Sequence, residues 1–442
     1  MNNRPVETGD VQIISLDLVK LDKSATFPFM AQVAALSFWE HINSAVIYGE
    51  VKVTDGLNVL KDFPIVGAEY IDLQFQTPGV SQVYKVKLYV YSVTDIRINA
   101  QNNNQTYTLK CCSQEFIKDS SMIVSKGYTT TIDAMIGDLL TNYLATTKSY
   151  ISIPTKGIQH IIIPSLTPLQ AIKMLKSRAA SVTRLSSSYK FFENRDGFQF
   201  VTLEDLIANG LTSQIKTYHK YVALRSEYQN PLGHWAIMDW LCNQQFNIVD
   251  GLKTGAYNGQ LWTFDMDNKM TTKTTFDGSQ YSQFISPDSN NPNNVLVIGQ
   301  AGTPVPKATS GEVRSIPKIT YQIYGQTVAT NFGHITDSAP QGSQNKNESF
   351  IPDFLPKRLG FTAPFLTSSY DLYINGDTSL TTGDLINVTI LDPDKLTDHK
   401  LGIEDTLTNG AYLVIGMRHN ILVSIKGSKY TAIITVSKGT YK

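Results

Sequence analysis

At 442 residues, with 42% apolar and 17% charged residues, the chain is too long for one compact core and too apolar for a disordered one; roughly two to four domains are expected. Its 38 basic and 38 acidic residues cancel, which speaks against an electrostatic nucleic-acid binder and a polybasic membrane protein. No apolar run of about 18 residues offers a membrane helix, and "MNNRPVETGD" lacks the basic start and apolar centre of a signal peptide, so no stable membrane insertion is expected.

The first segment, to about Lys110, reads as β. "VQIISLDLV" opens it. The stretch "FMAQVAALSFWEHINSA" is expected to be irregular or briefly helical. From Ile47, Val51 and Val53 alternate with Tyr48, Glu50, Lys52 and Thr54, the period of a strand with one buried side. Gly49 interrupts that row and marks a bulge or a close backbone approach. Ile71, Leu73 and Phe75 form a second such face, and Val86, Leu88 and Val90 a third, before "QTYTLKCC".

The period then changes. Ile132, Met135, Ile136, Leu139, Leu140, Tyr143 and Leu144 follow helical spacing, with Thr130 and Asp133 as the expected cap. Thr167, Pro168 and Gln170 predict a capping box on a helix that buries Leu169, Ile172, Leu175 and Ala179. Lys173, Lys176 and Arg178 sit near its C-terminal end, where cations oppose the dipole, and read as a solvated face. "YKFFENRDGFQFVTLEDL" is a hairpin turning at Asn194–Gly197. From about 215 the chain is again β. Residues 268–350 are rich in Asn, Gln, Ser, Gly and Pro and read as long loops or an arm. Three strands close the sequence: "GDLINVTIL", "GAYLVIGMRHNIL" and "KYTAIITVSKG".

The expected fold class is therefore β-rich α+β. Residues 1–110 form a first barrel, 111–214 an α/β domain, 215–267 with 361–442 a second, split barrel, and 268–360 a loop-rich insertion.

Few residues point to chemistry. Among the acids between Val46 and Phe75, Asp55 and Glu69 alone have buried parity, and both stand at strand ends, where carboxylates accept loop N–H groups; they are expected to be structural. Glu50 and Asp72 fall on polar faces, and Asp62 in a turn before Pro64. His219, His234, His399 and His419 show no metal-ligand spacing. The loop with Asp392, Asp394, Asp398, Glu404 and Asp405 is oxygen-rich but fails the EF-hand order at Leu396. Cys111, Cys112 and Cys242 form no CxxC pair and read as buried thiols of a cytosolically made protein. Trp39, Trp235, Trp240 and Trp262 are expected to anchor cores or subunit contacts rather than to line a sugar platform. No GxSxG, Walker or GxGxxG pattern occurs, so neither catalytic residue, cofactor nor metal is expected.

Four stretches in succession resemble the baseplate hub proteins of contractile-tailed, T-even-type phages: Asn43 to Phe75, Cys111 to Leu140, "LTPLQAIKMLKSRAA" with "YKFFENRDGFQFVTLEDL", and Val249 to Lys269 with "AYLVIGMRHNI" behind it. The resemblance covers about two thirds of the chain and leaves 270–360 unmatched. It implies a homotrimer in which each subunit gives two tail-tube-like barrels, a ring of near-sixfold symmetry. The implied partners are a tail tube protein above, a central spike protein below, neighbouring baseplate proteins, and DNA in transit through the lumen. The implied location is the virion tail baseplate, after assembly in the host cytoplasm. The alternatives are a phage-borne envelope polysaccharide hydrolase, with Asp55 and Glu69 or the tryptophans in its cleft, and the hub of a phage-derived injection or secretion machine. No internal repeat is evident in the sequence, so the equivalence of the two barrels rests on the resemblance.

Overall fold

A computed structural model describes residues 9–99, 104–183, 186–213, 215–220, 235–244, 258–265, 270–277, 316–322, 358, 369–390, 409–424 and 427–438. The N-terminal β-unit contains β1 (Gln12–Lys20), β2 (Thr26–Pro28), β3 (Val33–His41), β4 (Tyr48–Asp55), helix α1 (Val59–Asp62), β5 (Glu69–Gln76), β6 (Val83–Asn99) and β7 (Asn104–Cys112). Its strands pair in the order β3-β4-β7-β6-β5-β1-β2. Apolar alternation places Leu36, Phe38, Val51, Val53, Ile71, Leu73, Phe75, Leu88 and Leu109 in one buried cluster.

Two local expectations are corrected here and a third is decided. The stretch expected to be irregular or helical is strand β3. Its parity was hidden by a register shift between Val33 and Ala35, and by the burial of Glu40 at a core position. Of the two readings of Gly49 the close approach holds and the bulge does not: it pairs in register with Phe38 and Cys111, and a Cβ there would lie 3.0 Å from Leu88 Cδ1 and 3.3 Å from the Ser37 carbonyl oxygen. Asp62 ends the short helix α1 and is exposed.

The middle of the chain folds on its own apolar cluster, built around Ile132, Met135, Ile136, Leu139, Ile172, Leu175, Phe198 and Phe200. Helix α2 (Gln114–Ser120) leads into β8 (Val124–Thr130) and α3 (Ile132–Asp138), which passes into a π-helical turn at Leu139–Tyr143. Strands β9 (Tyr150–Ser152) and β10 (Gln159–Leu166) follow, then α4 (Pro168–Lys176), β11 (Tyr189–Asn194), β12 (Gly197–Thr202) and α5 (Leu203–Thr212). The capping box of α4 forms as expected. The cap of α3 does not: Thr131 is its N-cap, and Asp133 instead accepts from the Thr155 hydroxyl at 2.6 Å and its N–H at 3.1 Å. At the β11–β12 hairpin Asn194 faces Gly197, whose φ of +114° and close approach to the Ser149 carbonyl leave no room for a side chain.

The C-terminal part contributes β13 (Lys216–Lys220), β14 (Ala236–Gln244), β18 (Ser369–Asn375), β19 (Leu385–Thr389), β20 (Gly410–Leu422) and β21 (Lys429–Ser437). Between them in sequence, β15 (Asn258–Asp265), β16 (Met270–Asp277) and β17 (Ile316–Gln322) form a separate three-stranded sheet. β15 thus falls in the range expected for the second barrel but pairs with strands of the insertion. The other six pair as β19-β13-β14-β18-β21-β20, and a β19–β20 ladder closes the ring into a barrel.

The two β-units share one pairing order. Matching β3, β4, β5, β6 and β7 with β14, β18, β19, β20 and β21 turns the ladders β3–β4, β4–β7, β7–β6 and β6–β5 into β14–β18, β18–β21, β21–β20 and β20–β19, all antiparallel. Two bulges match too, while β14 carries one more, between Cys242 and Gln244. Val33/Ala35 corresponds to Ile237/Asp239, and Val90/Ser92 to Val414/Gly416. The units are joined edge to edge, because β3 pairs with β20 from Ala35↔Leu422 to His41↔Gly416.

Candidate functional site

The three parts of the molecule meet at the segment 376–384 between β18 and β19. Gly376 begins it: a Cβ there would overlap the Tyr430 ring at 1.8 Å. Asp377 turns the segment by accepting the Ser379 N–H at 2.8 Å, while Lys216 at 2.9 Å and the Tyr218 hydroxyl at 3.1 Å tie it to β13. Burial opposes its ionisation, but Lys216 and Ser379 outweigh burial and hold the Asp377 carboxyl below the usual range. The Tyr218 phenol is raised by burial and then by Asp377.

Toward the N-terminal unit, Thr378 and Thr77 exchange bonds: each backbone N–H donates to the other's hydroxyl, at 3.1 and 3.2 Å. The Thr378 hydroxyl also donates to the Gln82 carbonyl at 2.8 Å. Toward the α/β unit, Asn194 Nδ2 donates to the Thr382 carbonyl at 3.0 Å, and Arg195 Nη1 to the Thr378 carbonyl at 3.1 Å.

Beside this segment lies a buried polar cluster. Glu40 of β3, 1% exposed, accepts from Tyr84 at 2.9 Å and Thr381 at 2.8 Å, and contacts His419 Nε2 at 3.1 Å. His419 Nδ1 lies 2.6 Å from the Tyr430 hydroxyl, and its ring stacks on Phe38 at a centroid distance of 4.2 Å. An Nε2–H donated to Glu40 and an Nδ1 accepting from Tyr430 satisfies every member. Burial raises the Tyr84 and Tyr430 phenols, with Glu40 as a further cause for Tyr84. Such a network favours one arrangement of the two units, because any other leaves a buried polar group unpaired.

A third anchor holds the α/β unit. Lys148 bridges Glu115 and Glu193 at 2.6 Å each, and Glu193 also accepts from Ser113 Oγ at 2.6 Å and Ile47 N–H at 3.2 Å. Burial raises the Glu193 carboxyl; it opposes the Lys148 charge, but the two glutamates prevail and raise the Lys148 amine. A cleft of roughly 370 Å³ lies between the hairpin, α5 and the segment 379–385. On its wall the Asp384 carboxyl is pushed up to about 6, by burial against the Thr381 N–H and Arg195.

The structure separates Asp55 from Glu69 in their roles. Asp55 accepts from the Leu57 N–H at 2.9 Å and Gln105 Nε2 at 3.1 Å. Glu69 accepts the N–H groups of Val66, Gly67 and Ala68, each at 3.0 Å, and pairs with Lys20 at 2.7 Å. They share no hydrogen-bond partner. Cys111 and Cys112 are buried as expected, whereas Cys242 is exposed against that expectation; all three are free thiols. Among the described residues no cluster of three metal-ligating side chains occurs. His234, His399 and the acids from Asp392 to Asp405 lie outside the described residues. Sequence reasoning missed Glu40, because its segment was not read as a strand, and passed over His419, whose partners are distant in sequence.

No protein-family model matches the sequence, and no curated protein matches it. The chain is similar to solved structures over nearly its whole length, two of which follow. One is a tail protein from Neisseria meningitidis MC58, with a TM-score of 0.53 at 9% identity over 96% of both chains. The chain shares a tail-protein fold. The other is the 43 kDa tail protein of prophage MuSo2 from Shewanella oneidensis, with a TM-score of 0.52 at 10% identity over 96% of this chain and 98% of that one. At such identities the likeness is one of fold, and it extends across both β-units and the part between them.

Proposed function

We propose that the protein is a structural, non-enzymatic hub of a phage tail baseplate: a homotrimeric ring that adapts a sixfold tail tube to a threefold central spike and lets the genome pass. The observation that carries this reading is the repeated pairing order of the two β-units, joined edge to edge in one chain. A chain with two such β-units offers six to a tube when three copies assemble, and one chain to each spike subunit. The junction at 376–384 supports the reading, since it ties both units and the α/β part together through buried hydrogen bonds. The role places the protein in the virion tail, with tube, spike and neighbouring baseplate proteins as partners and no cofactor.

Electron microscopy of the purified protein tests this. A threefold ring with a central hole is the expected result. Compact monomers that cleave envelope polysaccharide would overturn it in favour of the hydrolase.

A further inference from the structure

A ring built from such chains needs a second junction, between one copy and the next. Resting on the ring reading, we propose that this junction is a β-sheet extension in which β14 of one protomer pairs antiparallel with the C-terminal half of β6 of the following protomer.

The internal junction supplies the template. β20 pairs with β19 through Gly410 to Leu413, and its remaining length, Gly416 to Leu422, pairs on the same side with β3. β6 is the counterpart of β20. It pairs with β5 only through Val83 to Tyr89, and among the described residues its continuation to Asn99 has no partner on that side. β14 is the counterpart of β3. Its side away from β18 meets β13 only at Ala236 and Ile237, and among the described residues the rest of that edge is open. The chain therefore carries both halves of the junction a second time, at opposite ends of its pairing order.

Burial agrees. Ile421, opposite Leu36 in the internal junction, is 1% exposed; its counterpart Ile98 is 79% exposed. On β14, Met238 and Leu241 are each 52% exposed. Carrying the internal register across, with the extra residue of β14 between Cys242 and Gln244, places Thr94 opposite Gln244, Arg97 opposite Leu241 and Ile98 opposite Trp240. Arg97 and Asp239, both exposed, then fall diagonally on one face with opposite charges, within reach of a long side chain. β6 also carries one bulge that β20 lacks, between Thr94 and Arg97, with Asp95 in the left-handed region at φ 57°. A bulge and a charge on an open edge discourage indiscriminate pairing before the right partner arrives. The contact is head-to-tail, so it closes only as a ring.

The experiment places Thr94→Cys and Gln244→Cys in one chain with Cys242→Ser, oxidises the assembled protein and reads the covalent products on a denaturing gel, with light scattering in parallel. Separately, Arg97→Asp and Asp239→Arg are each expected to raise the concentration needed for assembly at least tenfold, and the double reversal to restore most of it. A disulfide-linked ladder ending at the trimer, with that rescue, is the expected result. A trimer by scattering without cross-link or rescue overturns this pairing and leaves the ring reading standing. Unaltered protein that stays monomeric at every concentration overturns both.

Discussion

The N-terminal β-unit and the C-terminal barrel repeat one pairing order, yet among the described residues only the second closes on itself. The difference lies in their first strands. β13 runs parallel to both β14 and β19 and bridges them, whereas β1 runs antiparallel to β5 and hands its other edge to β2. Among the described residues no ladder joins β1 or β2 to β3. The antiparallel strands that carry the core are thus invariant between the units, while the strand that seals them is not. An insertion between β14 and β18 leaves their pairing intact, because its ends leave from adjacent strand ends. What the barrel gains by closure the N-terminal unit obtains from β20, which covers the edge of β3.

The strongest way to break the comparison is to remove the strands that serve both units. Truncation before Gly410 deletes β20 and β21, opening the barrel and stripping β3 of its partner. Loss of cooperative unfolding by circular dichroism and loss of all assembly are expected. Retention of a folded N-terminal unit would show that β3 does not depend on β20.

Next in size is the cluster between the units. Glu40→Ala leaves His419, Tyr84 and Thr381 without their shared acceptor and is expected to cost about 3 kcal/mol in urea unfolding. Gly376→Ala drives a methyl group into the Tyr430 ring and is expected to cost about 2 kcal/mol, more than Gly49→Ala, where the tightest neighbour is the movable end of Leu88. Equal costs would mean that the segment 376–384 yields easily and is no fixed junction.

The capping carboxylates of the N-terminal unit sharpen the comparison at a smaller scale. Asp55→Asn and Glu69→Gln are expected to lower stability by about 0.5–2 kcal/mol each. Glu69→Gln should cost more, since Glu69 holds three backbone N–H groups and Lys20. Neither should alter any polysaccharide cleavage.

A last test is a pH slope from the C-terminal side. The Asp384 carboxyl is raised from the usual 3.8 to about 6, so between these values the folded state binds more of its proton than the unfolded state. Its contribution is therefore fully present below about pH 4 and is lost as pH rises through about 6. Asp384→Asn should remove that component. Urea titrations of both proteins across this window check it, and an unchanged slope in the variant would refute the assignment.

The sequence by itself determined most of the elements: the strand faces of Val51/Val53 and Ile71/Leu73/Phe75, the capping box at Thr167–Gln170, the hairpin at Asn194–Gly197, and the strand-end place of Asp55 and Glu69. These are written in short-range periodicity and turn chemistry, which act within a few residues. Only the tertiary structure decided which strands meet. The repeat is carried by apolar parity rather than identity, with Val33 answering Ile237, Val51 answering Leu372 and Leu109 answering Ile434, so it left no trace in the sequence. Glu40 and His419 each look misplaced on their own strands. They become intelligible only when β3 and β20 come together, because a buried charge or imidazole is tolerated only where distant residues complete its hydrogen bonds.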